Sequence, residues 1–77
     1  MGKSLLKDYE IIVASDVSER DGIGIEIWKD NVLLLDIFRD DTTKKFTISL
    51  FVRDLPLELI ENSIVYFRKK IPQDFLD

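Results

Sequence analysis

Residues 23–38 read IGIEIWKDNVLLLDIF, and the fold turns on how this run is divided. Ile23, Ile25 and Ile27 alternate with Gly24, Glu26 and Trp28, the period of a strand with one buried face. After Lys29-Asp30-Asn31 comes a second apolar run, residues 32–38, which reads as a strand antiparallel to the first. The connection between them decides the pairing, because a slip of one residue carries a whole hydrophobic set to the other face. A two-residue loop at Asp30-Asn31 sets Ile25 against Asp36 and Glu26 against Leu35. A three-residue loop pairs Ile27 with Leu33, Ile25 with Leu35 and Ile23 with Ile37, and places Asn31 in a left-handed conformation that asparagine tolerates. The three-residue loop is therefore the expected one.

Downstream, residues 45–51 set Phe46, Ile48 and Leu50 against Lys45, Thr47, Ser49 and Phe51. The same logic pairs Ile37 with Phe46, Leu35 with Ile48 and Leu33 with Leu50, through an even-length connection around Asp40-Asp41-Thr42-Thr43. Upstream, residues 8–14 form a further strand. Placing its Tyr9, Ile11 and Val13 on the shared apolar face sets Glu10 against Glu26 and Ile12 over Gly24. The polar stretch between these strands ends in Asp21-Gly22, a turn signal.

A helix begins near Leu55, with Asp54 as its cap or Pro56 in its first turn. Leu57, Ile60, Ile64, Phe67 and Ile71 recur at intervals of three and four, a stripe that suits the Ile/Leu face of the sheet. Acidic Glu58 and Glu61 lie toward its start and Arg68, Lys69 and Lys70 toward its end, as the helix dipole favours, and Pro72 stops it. The expected architecture is α+β. It is a four-stranded antiparallel meander with one C-terminal helix packed on one face, in a single domain over residues 1–77.

Composition narrows the function more than it names one. The chain has 15 acidic and 11 basic residues, a net charge of −4, which repels phosphate backbones. Nucleic acid is not an expected partner. Phe46, the aromatic of the Lys44-Lys45-Phe46 segment, also falls on the face assigned to the helix. The longest apolar run, residues 32–35, is far short of the ~20 residues of a membrane span. Leu5 and Leu6 do not make a signal peptide, and Leu6 stands where a myristoylation start needs Ser or Thr. A cytoplasmic location is the expectation, and the absence of cysteine fits it.

With no histidine or cysteine, the usual triads, thiolate nucleophiles, imidazole bases and zinc sites have no ligands or bases to draw on. The acidic residues fall at turns (Asp16, Asp21, Asp30, Asp40, Asp41), at the helix start (Asp54, Glu58) and in the tail (Asp74, Asp77). Asp16, Ser18 and Arg20 imitate the opening of a calcium loop, but Arg20 puts a cation at a ligand position. Gly22 and Gly24 open a strand and not a helix, so they do not cradle phosphate. No catalytic residue, metal or cofactor is assigned, and the chain is expected not to be an enzyme.

One feature points to a role. In the expected register the face away from the helix carries Trp28, Val32, Leu34, Phe38 and Phe51, with Ile12, and Trp28, Val32 and Phe51 lie together at one end. A sheet with one buried face should be polar on the other, and an exposed apolar patch marks an interaction surface. Leu5 and Leu6, or Phe75 and Leu76, are the segments able to fold over it. The expected function is a non-catalytic protein–protein interaction module, self-associating as a homodimer or binding another protein. One alternative is an immunity-type antagonist masking a basic partner. Another is a carboxylate-based enzyme or ligand binder with its site between chains.

Overall fold

Four antiparallel strands form one sheet in the computed structural model, which describes residues 6–16 and 21–76. The elements are β1 (Glu10–Asp16), β2 (Gly22–Lys29), β3 (Val32–Asp40), β4 (Lys45–Leu50) and α1 (Leu57–Lys70). The strands lie in the order β1-β2-β3-β4, and α1 packs on one face, the α+β meander read from the sequence.

The β2–β3 turn corrects the expected register. Asp30 and Asn31 both have positive φ, 52° and 66°, and Lys29 opposes Val32, so the loop has two residues. Two successive left-handed residues match the twist of the flanking strands, and Asp and Asn adopt that conformation more readily than other side chains. The two-residue loop alone would set Ile25 against Asp36. Instead the ladder steps from Trp28↔Leu33 to Ile27↔Leu35, leaving Leu34 as a bulge on β3. Beyond it Ile25 opposes Ile37, and apolar again meets apolar. The bulge restores the parity that the turn would have lost.

The other pairs shift correspondingly. Ile37 opposes Ile48 and Leu35 opposes Leu50, each two residues from expectation, across a four-residue connection at 41–44. That connection is even-length as expected but begins one residue later. Asp40 Oδ1 shapes it by accepting the N–H of Thr42 (3.0 Å) and Thr43 (3.2 Å). On the other side Ile11 opposes Ile27 and Val13 opposes Ile25, so Glu10 meets Trp28 and the anticipated Glu10–Glu26 conflict does not arise. The 17–20 segment, with Ser18 and Arg20 of the calcium-like pattern, lies outside the described residues, as does Leu5.

Gly24 is fixed by this register. A Cβ there would stand 2.0 Å from the Ile37 carbonyl oxygen and 2.8 Å from both Cα and a ring carbon of Phe38. The Phe38 ring thus occupies the space a side chain would need, and it is 1% exposed.

On the helix side, Ile25, Ile27, Leu35 and Ile37 form one core with Leu6, Leu59, Phe67 and Ile71. The helix is rolled relative to the expected stripe. Its buried line is Leu59, Ser63 and Phe67, whereas Leu57 is 70% exposed. Ser63, wholly buried, is small enough to face the sheet where a branched Ile64 would hold the helix off. Pro56 occupies the cap position without a side-chain cap, so Asp54 does not serve; the Pro56 carbonyl accepts the N–H of Leu59 and Ile60.

Gly24→Ala should lower unfolding free energy in urea by about 1–3 kcal/mol, since neither backbone contact can give way cheaply; an unchanged midpoint would mean that β3 yields. Ser63 Oγ has no hydrogen-bond partner among the described residues. Ser63→Ala should therefore raise stability by roughly 1 kcal/mol in the same assay, and a loss would reveal a partner for the hydroxyl.

Candidate interaction surface

Strands ~4.8 Å apart make a four-stranded surface ~19 Å wide, whereas one helix with its side chains is ~10–12 Å across. α1 lies over β2 and β3. The flanking strands are left partly uncovered on the helix side: Val13 of β1 is 45% exposed, and Phe46, Ile48 and Leu50 of β4 are 37%, 44% and 52% exposed. Beside β4 the helix presents Ile64, and between them runs a groove of about 150 Å³ floored by Ile37, Phe46, Ile48 and Phe67.

One end of this groove is built by charge and aromatic contacts. The Phe46 ring meets Phe67 edge-on at 5.8 Å and Phe75 at 4.9 Å, and the Arg68 guanidinium lies 4.8 Å over it. Arg68 also donates to Gln73 Oε1 at 2.6 Å. Deeper in the same end, Arg39 donates through Nε and Nη2 to the two oxygens of Asp41, at 3.0 and 3.2 Å, and through Nη1 to the Pro72 carbonyl at 2.8 Å. The Leu76 N–H donates to Asp41 Oδ1 (3.1 Å), and Lys44 Nζ donates to the Leu76 carbonyl (2.6 Å). The chain after α1 is thus pinned across the β3–β4 hairpin. Phe75 covers Phe46 on the helix side, not the opposite face.

The five residues singled out from sequence do not gather on one face. Trp28 is half-buried and its Nε1 donates to Glu26 Oε1 at 3.0 Å. Phe38 is buried over Gly24. Val32 opposes Lys29, which puts it on the face opposite Trp28, and Leu34, the bulge residue, packs against the helix-side core. Phe51 is 53% exposed, its N–H donating to the Leu34 carbonyl at 2.9 Å. Leu6, expected as a cover for that face, lies in the core under α1.

The residues that sequence reasoning placed under the helix, Phe46, Ile48 and Leu50, are those left open. The available signal was width: one amphipathic helix cannot span four strands. β4 is also a sheet edge. Because the Phe51 N–H points to β3, the alternation of the ladder turns the N–H and C=O of Ser49, Thr47 and Lys45 inward and those of Leu50, Ile48 and Phe46 outward. Among the described residues no strand pairs with that outer side, and β4 carries neither proline nor an acidic residue to blunt it.

Among the described residues no three acidic side chains are grouped to hold a metal ion, and no helix is long and apolar enough to cross a membrane. No family model, curated protein or solved structure matches the chain. Its function is read from this flank alone.

The Arg39–Asp41 clamp has a pH signature. Partial burial pushes the Asp41 carboxyl up, but the Leu76 N–H, the Arg39 hydrogen bond and charge, and the Lys44 charge together hold it below the ordinary value of 3.8. Its contribution is present above that value and is lost as pH falls through the lower folded one. In an NMR titration the Leu76 amide should respond with a midpoint below 3.8, and Asp41→Asn should abolish the response. A midpoint at or above 3.8 would show that the clamp does not favour the carboxylate.

Proposed function

We propose that this chain is a non-catalytic protein-interaction module whose contact surface is the flank formed by β4 and α1, and that it binds by strand addition. The observation that carries this reading is the row Phe46, Ile48 and Leu50: three large apolar side chains, 37–52% exposed, on an edge strand whose outward backbone groups are unpaired by any described strand. Strand addition joins these two features. Main-chain hydrogen bonds to the edge supply affinity, and alternate side chains of the incoming strand reach the groove beside Ile64.

Among the described residues the groove has no acid–base pair, and the only charged side chain lining it, Arg68, is occupied with Phe46 and Gln73. This favours binding over chemistry. The antagonist version, in which the chain masks a basic partner, draws on the net charge of −4. The charged side chain lining the groove is a cation, Arg68, and the lining is otherwise mostly apolar, so the groove suits an apolar segment better than a basic one.

A display screen of random peptides is the test. Wild-type protein should enrich extended sequences with alternating apolar residues. Ile48→Asp, at a position already 44% exposed, should keep its circular dichroism spectrum and lose that enrichment. Equal enrichment by both proteins would place binding elsewhere.

A further inference from the structure

Resting on the interaction reading above, we infer that the strand added to β4 is the β4 of a second copy, paired antiparallel about a two-fold axis at Ile48. A two-fold axis normal to the sheet keeps each face continuous, so residues facing each other across it must share a face. Centring the axis on Ile48 sets Ile48 opposite itself and Phe46 opposite Leu50 of the second copy. The whole apolar row then meets its own reverse. These are the residues whose backbone groups point outward, so each pair exchanges hydrogen bonds.

The polar face fits the same register. Thr47 comes opposite Ser49 of the second copy, two small hydroxyl side chains that place neither a charge nor a bulky group at the seam. Lys45 comes opposite the exposed Phe51, a cation against an aromatic ring. No like charges face each other. Moving the axis by one residue to Thr47 sets Leu50 against Lys44 and breaks the row.

The other edge lacks this complementarity: pairing β1 with its own copy about Val13 would set Ile11 against Ser15, apolar against polar. The two helices do not collide in the β4 arrangement. With α1 over β2 and β3, the two helices stand roughly four strand spacings apart, ~19 Å, wider than the ~10 Å at which helices touch. A six-residue edge makes a small contact, below about 1,200 Å² in total, so the association belongs to the weak, concentration-dependent class.

Sedimentation equilibrium from about 10 µM to 1 mM, the range where such small contacts assemble, should show a reversible dimer. Because residue 48 faces itself, Ile48→Lys alone and Ile48→Glu alone should each weaken dimerisation at least tenfold. An equimolar mixture of the two should restore it. The chain has no cysteine, so Ile48→Cys offers an independent readout. A hydrogen-bonded antiparallel pair has Cα atoms ~5.5 Å apart, within disulfide reach, and mild oxidation should give one covalent dimer that retains the wild-type circular dichroism spectrum. A monomer throughout the range, with no crosslink, overturns the inference. If the peptide screen still shows binding that depends on Ile48, the interaction module stands and only the second copy fails. A wild-type dimer that the lysine–glutamate mixture does not restore overturns the register.

Discussion

The sheet depends on one residue inserted into one strand. The Asp30-Asn31 turn by itself imposes a register in which Ile27, Ile25 and Ile23 of β2 would face Leu34, Asp36 and Phe38, the residues of the wrong parity. The bulge at Leu34 cancels that error within three residues of the turn. From it follow the Ile25–Ile37 and Ile27–Leu35 pairs under the helix, and the seating of Phe38 on Gly24 behind them. It also sets Glu26 opposite Asp36, where the Trp28 indole N–H holds one Glu26 oxygen. A tight turn with favourable local chemistry and a core with favourable packing are both kept, at the expense of one unpaired step in the ladder.

Packing on the helix side is governed by size. Ser63 lets α1 settle over β2 and β3, with Leu59, Phe67 and Ile71 filling the space on either side. Ile64 and Leu57 then turn away from the central strands, and a helix this narrow leaves both sheet flanks partly open. The β4 flank differs from the β1 flank because the segment after α1 returns to it. Arg39 and Asp41, whose side chains are only 5% and 8% exposed, form a pair that also binds the Pro72 carbonyl and the Leu76 amide. A buried pair of this kind contributes little net stability but fixes where the returning segment sits. That placement caps one end of the groove with Phe75 and leaves Ile48 and Leu50 open.

An apolar row at a sheet edge is a liability unless something covers it, and sheets ordinarily blunt such edges with charge, proline or bulges. In β4 the bulge lies on the neighbouring strand, and the lysines stand at the start of β4, away from Ile48 and Leu50. Hydrophobic burial and main-chain hydrogen bonding therefore act at the same place. Trp28, the residue that composition alone makes conspicuous, is instead half-buried on the opposite face and tied to its own strand through Glu26.

The number of elements, their order and the parity of nearly every apolar side chain follow from the sequence, because alternation in a strand is a local property that any regular pairing must respect. Ile11, Val13, Ile23, Ile25, Ile27, Leu35, Ile37, Phe46, Ile48 and Leu50 share the face that their spacing assigns them. Which residue faces which was decided only in three dimensions: parity favoured a three-residue loop, and the bulge that lets a two-residue loop keep the same parity leaves no mark in the hydrophobic pattern. Val32 and Leu33 exchange faces for that reason, and the patch expected around Trp28 disperses. The roll of α1 was likewise settled by fit, since Ser63 offers no hydrophobic signal yet is wholly buried between Leu59 and Phe67 on the helix's inner line. The open flank at β4 arises last, from the width of one helix against four strands, a quantity that no single segment of the chain contains.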